Sequence, residues 1–172
     1  LLHLYSIKES KSYQKNLSNW KEHISNFVRN PNFKDPDLYI KNPKFRDHIY
    51  DGSKEISQFL CKPYSNNFDE KIFTKNLFSN RRLNELFHEN TPLILSEEDL
   101  NSMKYSVENR SPFLDKKLVE FAFSIPEAFL IQNGYGKYIL RESLKGILNE
   151  KVRLDRAKKG FNASINSLIN FE

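Results

Sequence analysis

The sequence predicts a mostly α-helical fold. Apolar residues recur at three- and four-residue intervals in most segments, whereas the strict apolar–polar alternation typical of strands is rare. Glycine occurs only 5 times in 172 residues, so few tight β-turns are expected. A chain of this length is one domain or part of one. We divide it into a helical region over residues 1–82 and a second helical part over residues 83–172, which the chain end truncates.

A long helix is predicted near the start of the first region. Leu17 and Trp20 belong to an apolar pattern with helical spacing that extends from about residue 6 to residue 28. Ser6 is a suitable N-cap for it. Pro31 then ends the pattern, because proline cannot continue a helix interior.

Residues 30–67 are interpreted as an insertion. Proline and polar residues without periodicity predict that residues 33–43 form a loop or a mobile insertion. Two short helices are predicted after it, at residues 45–50 and 53–61.

Further helices are predicted from apolar spacing and capping residues. The first covers residues 69–89 and ends before Pro92. The next begins at Ser96, where Asp99 three residues later makes a pattern close to a capping box. Asp115 is a suitable N-cap for the helix after that. Two more helical patterns follow, at residues 137–148 and 165–169.

Charge, hydropathy and cysteine content argue against several classes of function. The net charge of +5 is spread along the chain rather than clustered, so we predict no nucleic-acid partner. No apolar run approaches the ~20 residues that span a bilayer, so we predict no membrane segment. Cys61 is the only cysteine, which rules out an internal disulfide and fits the cytoplasm. The histidines lack metal-ligand spacing, so no metal site is predicted in the chain: His3, His23, His48 and His88.

A dense polar run lies between two predicted helices, at residues 106–115. It contains Glu108, Arg110 and Asp115 beside a proline turn. An acid and a base at such a corner can bind a polar ligand. Alternatively they form a buried ion pair and a helix cap that shape the corner. The pattern leaves both interpretations open.

Two cationic runs follow. Lys137 comes directly after a Gly-Tyr-Gly turn, at the start of a predicted helix. A cation there opposes the helix dipole, which hints at an anionic partner. Residues 155–161 place Arg156, Lys158 and Lys159 ahead of a glycine. These cations are either a solvated face or a clamp for phosphate.

These runs, in this order, resemble the C-terminal signature of the synthetase domain of glutamine-hydrolysing asparagine synthetases, the asparagine synthase family. The matching stretches are Ser106–Asp115, Leu118–Phe121, Ile125-Pro126, Gly134–Lys137 with Leu140-Arg141, and Lys158–Phe161. The resemblance covers residues 83–161. It implies the helical C-terminal portion of an adenine-nucleotide α-hydrolase-like (ATP pyrophosphatase) synthetase domain, with the parallel-sheet part missing. We therefore expect both chain ends to be cuts through a longer protein.

The resemblance also implies an ATP-dependent amide synthesis. In that family a separate glutaminase domain hydrolyses glutamine to glutamate and ammonia. The synthetase domain joins aspartate and ATP into β-aspartyl-AMP and pyrophosphate, and ammonia then displaces AMP to give asparagine. The expected partners are thus aspartate, ATP and ammonia from a glutaminase domain. ATP and Mg²⁺ are implied, and both would be bound mainly by residues outside this chain.

The resemblance suggests a role for each matched side chain. Glu108 resembles the catalytic glutamate that accepts a proton from the attacking amine. Lys158 resembles the lysine that contacts phosphate during adenylation and amide formation, and Lys137 resembles a second cation of that site. Arg110 and Asp115 resemble structural supports that hold the Glu108 corner.

Departures from the family pattern keep alternatives open. The Ser-Gly-Gly-x-Asp-Ser phosphate loop and the acidic Gly-x-Asp-Glu run of the family are absent, so we expect the chain to be inactive alone. Asn162-Ala163-Ser164 stands where relatives often have proline, which leaves room for another carboxylate acceptor, such as a surface-polysaccharide precursor. A further alternative is a non-catalytic helical binding or interaction module.

Overall fold

The computed structural model describes residues 13–28, 33–47, 53–63 and 68–156, and it confirms a mostly helical fold. The helices are α1 (Tyr13–His23), α2 (Pro36–Lys41), α3 (Ser53–Ser57), α4 (Leu77–Phe87), α5 (Asn90–Met103), α6 (Lys116–Ser124), α7 (Glu127–Leu130), α8 (Tyr138–Ser143) and α9 (Glu150–Arg153). Short 3-10 turns lie at Ser25–Phe27, Pro43–Arg46 and Pro112–Leu114. Two short strands, β1 (Ile131–Gln132) and β2 (Tyr135–Gly136), form an antiparallel hairpin with Ile131 opposite Gly136.

A small aromatic core joins the first part of the chain to α4. Trp20 of α1, Tyr39 of α2 and Phe78 of α4 are buried together. Half-buried side chains pack around them, among them Leu130 and Ile131 from the hairpin region. The hairpin therefore lies against the same core that holds the three helices.

Helix α2 occupies the stretch where the sequence pattern predicted a loop, so that prediction is wrong. The Asp35 carboxylate caps the helix by accepting hydrogen bonds from Asp37 N at 2.9 Å and Leu38 N at 3.2 Å. Pro36 stands at the first helical position, where its missing N–H costs nothing. Tyr39 is fully buried, so tertiary packing supports a helix that its sequence pattern does not reveal.

A buried network of alternating charges connects α2 and its following turn to α4. Arg81 donates to Glu70 at 2.9 Å and to Glu89 at 2.5 Å, and Glu70 also pairs with Arg46. Arg46 in turn donates to the carbonyl oxygen of Tyr39 at 2.8 Å. Two guanidinium groups thus face two carboxylates, which offsets the desolvation that burial costs each charge.

Helix α4 begins at Leu77, later than the predicted start near residue 69. Two asparagines explain the difference, because their side chains hold the preceding segment in a non-helical path. Asn84 accepts from Lys71 N at 2.9 Å, and Asn80 accepts from Phe73 N at 2.8 Å. Asn76 then caps the helix by accepting from Ser79 N at 2.7 Å.

Helices α5 and α6 show where local capping patterns succeed and fail. Helix α5 begins at Asn90, so the predicted start at Ser96 is wrong. Pro92 lies within the first turn, where no intrahelical N–H donor is lost. The Asp115 carboxylate accepts from Leu118 N at 3.1 Å, which confirms the predicted N-cap of α6.

The other predicted helices are shorter than expected or lie partly outside the described residues. Helix α3 ends at Ser57, and α8 ends at Ser143, before a turn in which Gly146 has φ +78°. Residues 6–12, 48–50 and 165–169 lie outside the described residues. Across the described ranges, no helix has the length and apolar character needed to cross a bilayer.

Candidate functional site

Glu108 lies on an open loop between α5 and α6. Its carboxylate forms a two-point ion pair with Arg110, with Nε–Oε1 and Nη2–Oε2 distances of 3.1 Å each. The two side chains are 70% and 80% exposed, so the interpretation as a buried ion pair is wrong. Ser106, in the left-handed region with φ +56°, turns the chain out of α5 and into this loop.

A cleft of about 460 Å³ runs between α5 and the loop. It is lined by Thr91, Ile94, Leu95, Glu98, Asn109, Arg110, Ser111, Pro112, Phe113 and Leu114. Arg110 therefore lines the cleft and also binds Glu108. A residue that orients the Glu108 carboxylate would make these two contacts. Asn109 links the two walls by donating to Glu98 at 3.3 Å.

Lys137 follows the β1–β2 hairpin and stands at the N-cap position of α8. Its backbone is left-handed, with φ +56° and ψ +37°, and its side chain makes no capping hydrogen bond. The side chain is exposed. An L-residue other than glycine pays a conformational cost in this region, and helix capping does not account for a lysine there.

The hairpin that precedes Lys137 makes a tight two-residue turn. Asn133 and Gly134 both have positive φ, +50° and +75°, as a type I′ turn requires. A Cβ on Gly134 would lie 2.6 Å from Cδ2 of His23 in α1. Glycine at this position therefore allows the hairpin to dock against the first helix.

Tyr135, at the base of this hairpin, has two guanidinium groups over its ring. The Cζ atom of Arg156 lies 4.3 Å from the ring centroid, and that of Arg141 lies 5.6 Å from it. Arg141 also donates to the carbonyl oxygen of Gly136 at 3.0 Å and to that of Arg153. Among the described residues, no carboxylate pairs with Arg141 or Arg156, so neither guanidinium is neutralised by an ion pair.

The neighbouring arginine, Arg153, is by contrast fully neutralised. It donates to Glu150 at 2.8 Å and to Glu142 at 3.0 Å. These hydrogen bonds raise the pKa of Arg153, and the bond from Arg153 lowers the pKa of Glu150. The ion pairs of Arg153 therefore have a structural role, because they fix α9 to α8.

The structure does not join all the predicted site residues. Within the described residues, no hydrogen bond or ion pair connects the Glu108 loop to Lys137. Lys158 lies outside the described residues, and Arg156 is the last residue before it that the structure describes. The roles of Glu108, Arg110, Asp115, Lys137 and Lys158 thus stay predictions.

Sequence reasoning missed the grouping of Tyr135 with the two arginines. An available signal was the Asn133-Gly134 pair, which predicts a two-residue hairpin turn when strand-like residues flank it. No local pattern marks the contact from Arg156 to His23, because 133 residues separate them. In the described part of the chain, no group of three or more potential ligands is arranged to hold a metal ion.

Comparisons with known proteins point to the same family as the sequence motifs. The family model for asparagine synthase matches residues 4–170. Asparagine synthetase [glutamine-hydrolyzing] 1 of Bacillus subtilis (strain 168) is 32% identical over 145 residues, which is 79% of this chain and 22% of that protein. Asparagine synthetase [glutamine-hydrolyzing] 3 of the same organism is 39% identical over 59 residues, 34% of this chain and 10% of that protein. No solved structure matches the chain.

The asparagine synthase family model matches nearly the whole chain, and this extent assigns the chain to a family. It reaches well beyond residues 83–161, where the motifs lie, and it includes the aromatic core and the buried charge network. The chain spans about a fifth of the length of the first of these relatives. The chain belongs to the asparagine synthase family.

Proposed function

We propose that this chain is the helical C-terminal part of an ATP-dependent synthetase that converts aspartate and ammonia to asparagine, and that it is inactive without the rest of that domain. The supporting observation is that Glu108 and Lys137 are exposed in a chain that the family model matches almost end to end. Exposed side chains on loops are available to a ligand, whereas buried ones serve the core.

The charge near Lys137 suits a polyphosphate. Lys137 is exposed, and the guanidinium groups of Arg141 and Arg156 have no carboxylate partner among the described residues. Guanidinium and ammonium groups bind phosphate oxygens by charge-assisted hydrogen bonds. The described residues do not offer a comparable site for Mg²⁺, because no group of three or more potential metal ligands lies together among them. We therefore place Mg²⁺ binding elsewhere in the protein and derive no step from it.

The proposed chemistry explains why these residue types are needed. A carboxylate is a poor electrophile, and transfer of AMP to the aspartate side chain supplies a leaving group while pyrophosphate departs. Lys137 and Lys158 would stabilise the negative charge that grows on the departing pyrophosphate. Glu108 would accept the proton that ammonia loses as it attacks the acyl carbon and displaces AMP.

The exposed apolar surface of α5 explains the dependence on the rest of the domain. No residue of this 14-residue helix is buried, and its large apolar side chains are exposed, among them Leu93, Ile94, Leu100 and Met103. A helix that is apolar on several sides is normally covered by other parts of a protein. We propose that the remaining part of the synthetase domain covers it. We also propose a cytoplasmic location, where ATP and aspartate are available.

Identification of the amide product tests this function. The full-length protein that carries this chain is incubated with MgATP, ammonium and aspartate, and the products are identified by mass spectrometry. We expect asparagine, AMP and pyrophosphate in equal amounts. If an amide forms only on a different carboxylate compound, that compound and not aspartate is the acceptor. No amide on any carboxylate tested would leave a non-catalytic helical module.

A further inference from the structure

We propose that Asn109 and Glu98 are positioning residues for the step in which ammonia attacks. The hydrogen bond between them ties the middle of the Glu108 loop to α5 and leaves Arg110 to pair with Glu108. The inference rests on the proposed function, in which the Glu108 carboxylate accepts the proton that ammonia loses. The sequence motifs gave neither Asn109 nor Glu98 a role.

The loop that carries Glu108 is held by backbone hydrogen bonds at its start and at its end. At the start, Val107 N donates to the carbonyl oxygen of Ser102 at 3.1 Å. At the end, Asp115 N donates to the carbonyl oxygen of Pro112 at 3.2 Å. These turns fix where the loop begins and ends, but neither joins its middle to α5.

Asn109 makes the connection from the middle of the loop to α5. Its Nδ2 donates to Oε2 of Glu98 at 3.3 Å, across 11 positions in the sequence. By contrast, the side chains of Glu108 and Arg110 bond to each other and, within the described residues, to no other element. Their position therefore depends on the backbone of the residue between them, which the Asn109 bond restrains.

Apolar packing across the cleft does not replace this bond. Ile94 and Leu95 on the α5 side are exposed, and so is Phe113 on the loop side. The cleft of about 460 Å³ lies between these two walls. The proposed cover over α5 would exclude water from this region, and a hydrogen bond becomes stronger where water is excluded.

The bond also keeps a second carboxylate away from the guanidinium of Arg110. Glu98 and Arg110 both line the cleft, so Glu98 is an alternative partner for Arg110. Charged hydrogen bonds of this kind are strong, and a free carboxylate competes for them. While Glu98 accepts from Asn109, Arg110 binds Glu108 through two nitrogens and holds its carboxylate in one orientation. Release of Glu98 would offer Arg110 a second partner, and Glu108 would lose that fixed orientation.

The orientation of Glu108 matters in one chemical step. The nitrogen of ammonia forms a bond to the acyl carbon of the aspartyl adenylate, the bond from that carbon to the AMP oxygen breaks, and AMP leaves with the electron pair. The nitrogen also loses one proton, which the Glu108 carboxylate takes. A general base must lie within hydrogen-bond reach of the proton that it removes. The earlier adenylation transfers AMP to a carboxylate that has no proton to lose, so it should not depend on the Asn109 bond.

Reversal of the hydrogen bond in the full-length protein tests the inference. Asn109→Asp places two carboxylates against each other and breaks the bond. It should lower the rate of asparagine formation at saturating ammonium by about 10- to 100-fold, because the base is misplaced. Addition of Glu98→Gln supplies an amide donor opposite the new carboxylate. The double variant should therefore recover to within about threefold of the wild-type rate.

Exchange of labelled pyrophosphate into ATP separates positioning from a loss of folding. In Asn109→Asp this aspartate-dependent exchange should stay within about twofold of wild type, because adenylation does not use the base. The unfolding midpoint should hardly change, because the bond is exposed. Asn101→Asp is the matched control. It adds the same charge at an exposed position of α5, away from the Asn109 bond, and both activities should stay at the wild-type level.

The outcomes separate this inference from the proposed function. Wild-type asparagine formation in Asn109→Asp overturns the positioning role alone. So does a loss that Glu98→Gln fails to rescue, an equal loss in Asn101→Asp, or a matching loss of pyrophosphate exchange in Asn109→Asp. Absence of aspartate-dependent exchange in the wild type refutes the proposed function, and this inference with it.

Discussion

At the scale of single residues, exposure decides how Glu108 should respond to substitution. The Glu108–Arg110 ion pair is solvent-exposed, and such pairs contribute little to stability. Glu108→Gln should therefore lower the free energy of unfolding by less than about 1 kcal/mol. In the full-length protein it should abolish amide formation, because the amide of glutamine cannot accept the proton. Denaturant unfolding and product assays check the two effects separately, and a large stability loss would contradict the exposed geometry.

The hydrogen bonds from Arg153 make a prediction about acid stability. They lower the folded-state pKa of Glu150 below the ordinary value of 4.5, so the unfolded state binds more protons as the pH falls. The stabilisation is complete above pH 4.5 and is lost as the pH falls through the lowered pKa. Glu150→Gln should flatten the pH dependence of unfolding in this acid range. Identical pH profiles for wild type and variant would show that Glu150 does not contribute.

At the scale of secondary-structure elements, substitutions at the N-cap of α6 distinguish the capping hydrogen bond of Asp115 from its negative charge. The carboxylate accepts a hydrogen bond from Leu118 N, and asparagine can make the same bond. Asp115→Ala should cost about 1 kcal/mol, and Asp115→Asn only a few tenths. Equal losses in the two variants would mean that the negative charge matters more than the cap.

The buried charge network that joins α2 to α4 should be far more sensitive than any surface pair. Arg81→Met removes the buried guanidinium that pairs with the carboxylates of Glu70 and Glu89, and breaking such a buried network typically costs about 3–5 kcal/mol. Lys71→Ala breaks an exposed ion pair with Asp69 and should cost less than about 1 kcal/mol. Thermal unfolding compares them, and similar midpoints would contradict the burial of the network.

These elements also show what the sequence could predict. The cap at Asp115 was predictable because its partner is three residues away. The start of α4 was not, because Asn80 and Asn84 bond to backbone up to 13 residues earlier. Helix α2 was missed for the same reason, since it depends on Tyr39 packing and on a long-range ion network. Local patterns predict local bonds, whereas tertiary contacts override them.

At the scale of the whole molecule, the order of motifs identified the family, but the candidate site stays divided. Glu108 lies beside a cleft on the α5–α6 loop, and Lys137 lies beyond a hairpin at the start of α8. The sequence indicated both residues, yet it could not show that Arg156 packs on Tyr135. The exposed apolar side chains of α5 agree with the proposal that the remaining part of the synthetase domain covers this surface.

Exchange of labelled pyrophosphate into ATP is the sharpest test of the proposed function. We predict that the full-length protein catalyses this exchange only with aspartate, that the isolated 172-residue chain does not, and that Lys158→Ala abolishes it while leaving glutamine hydrolysis intact. Exchange by the isolated chain, or undiminished exchange by the Lys158→Ala protein, would contradict it.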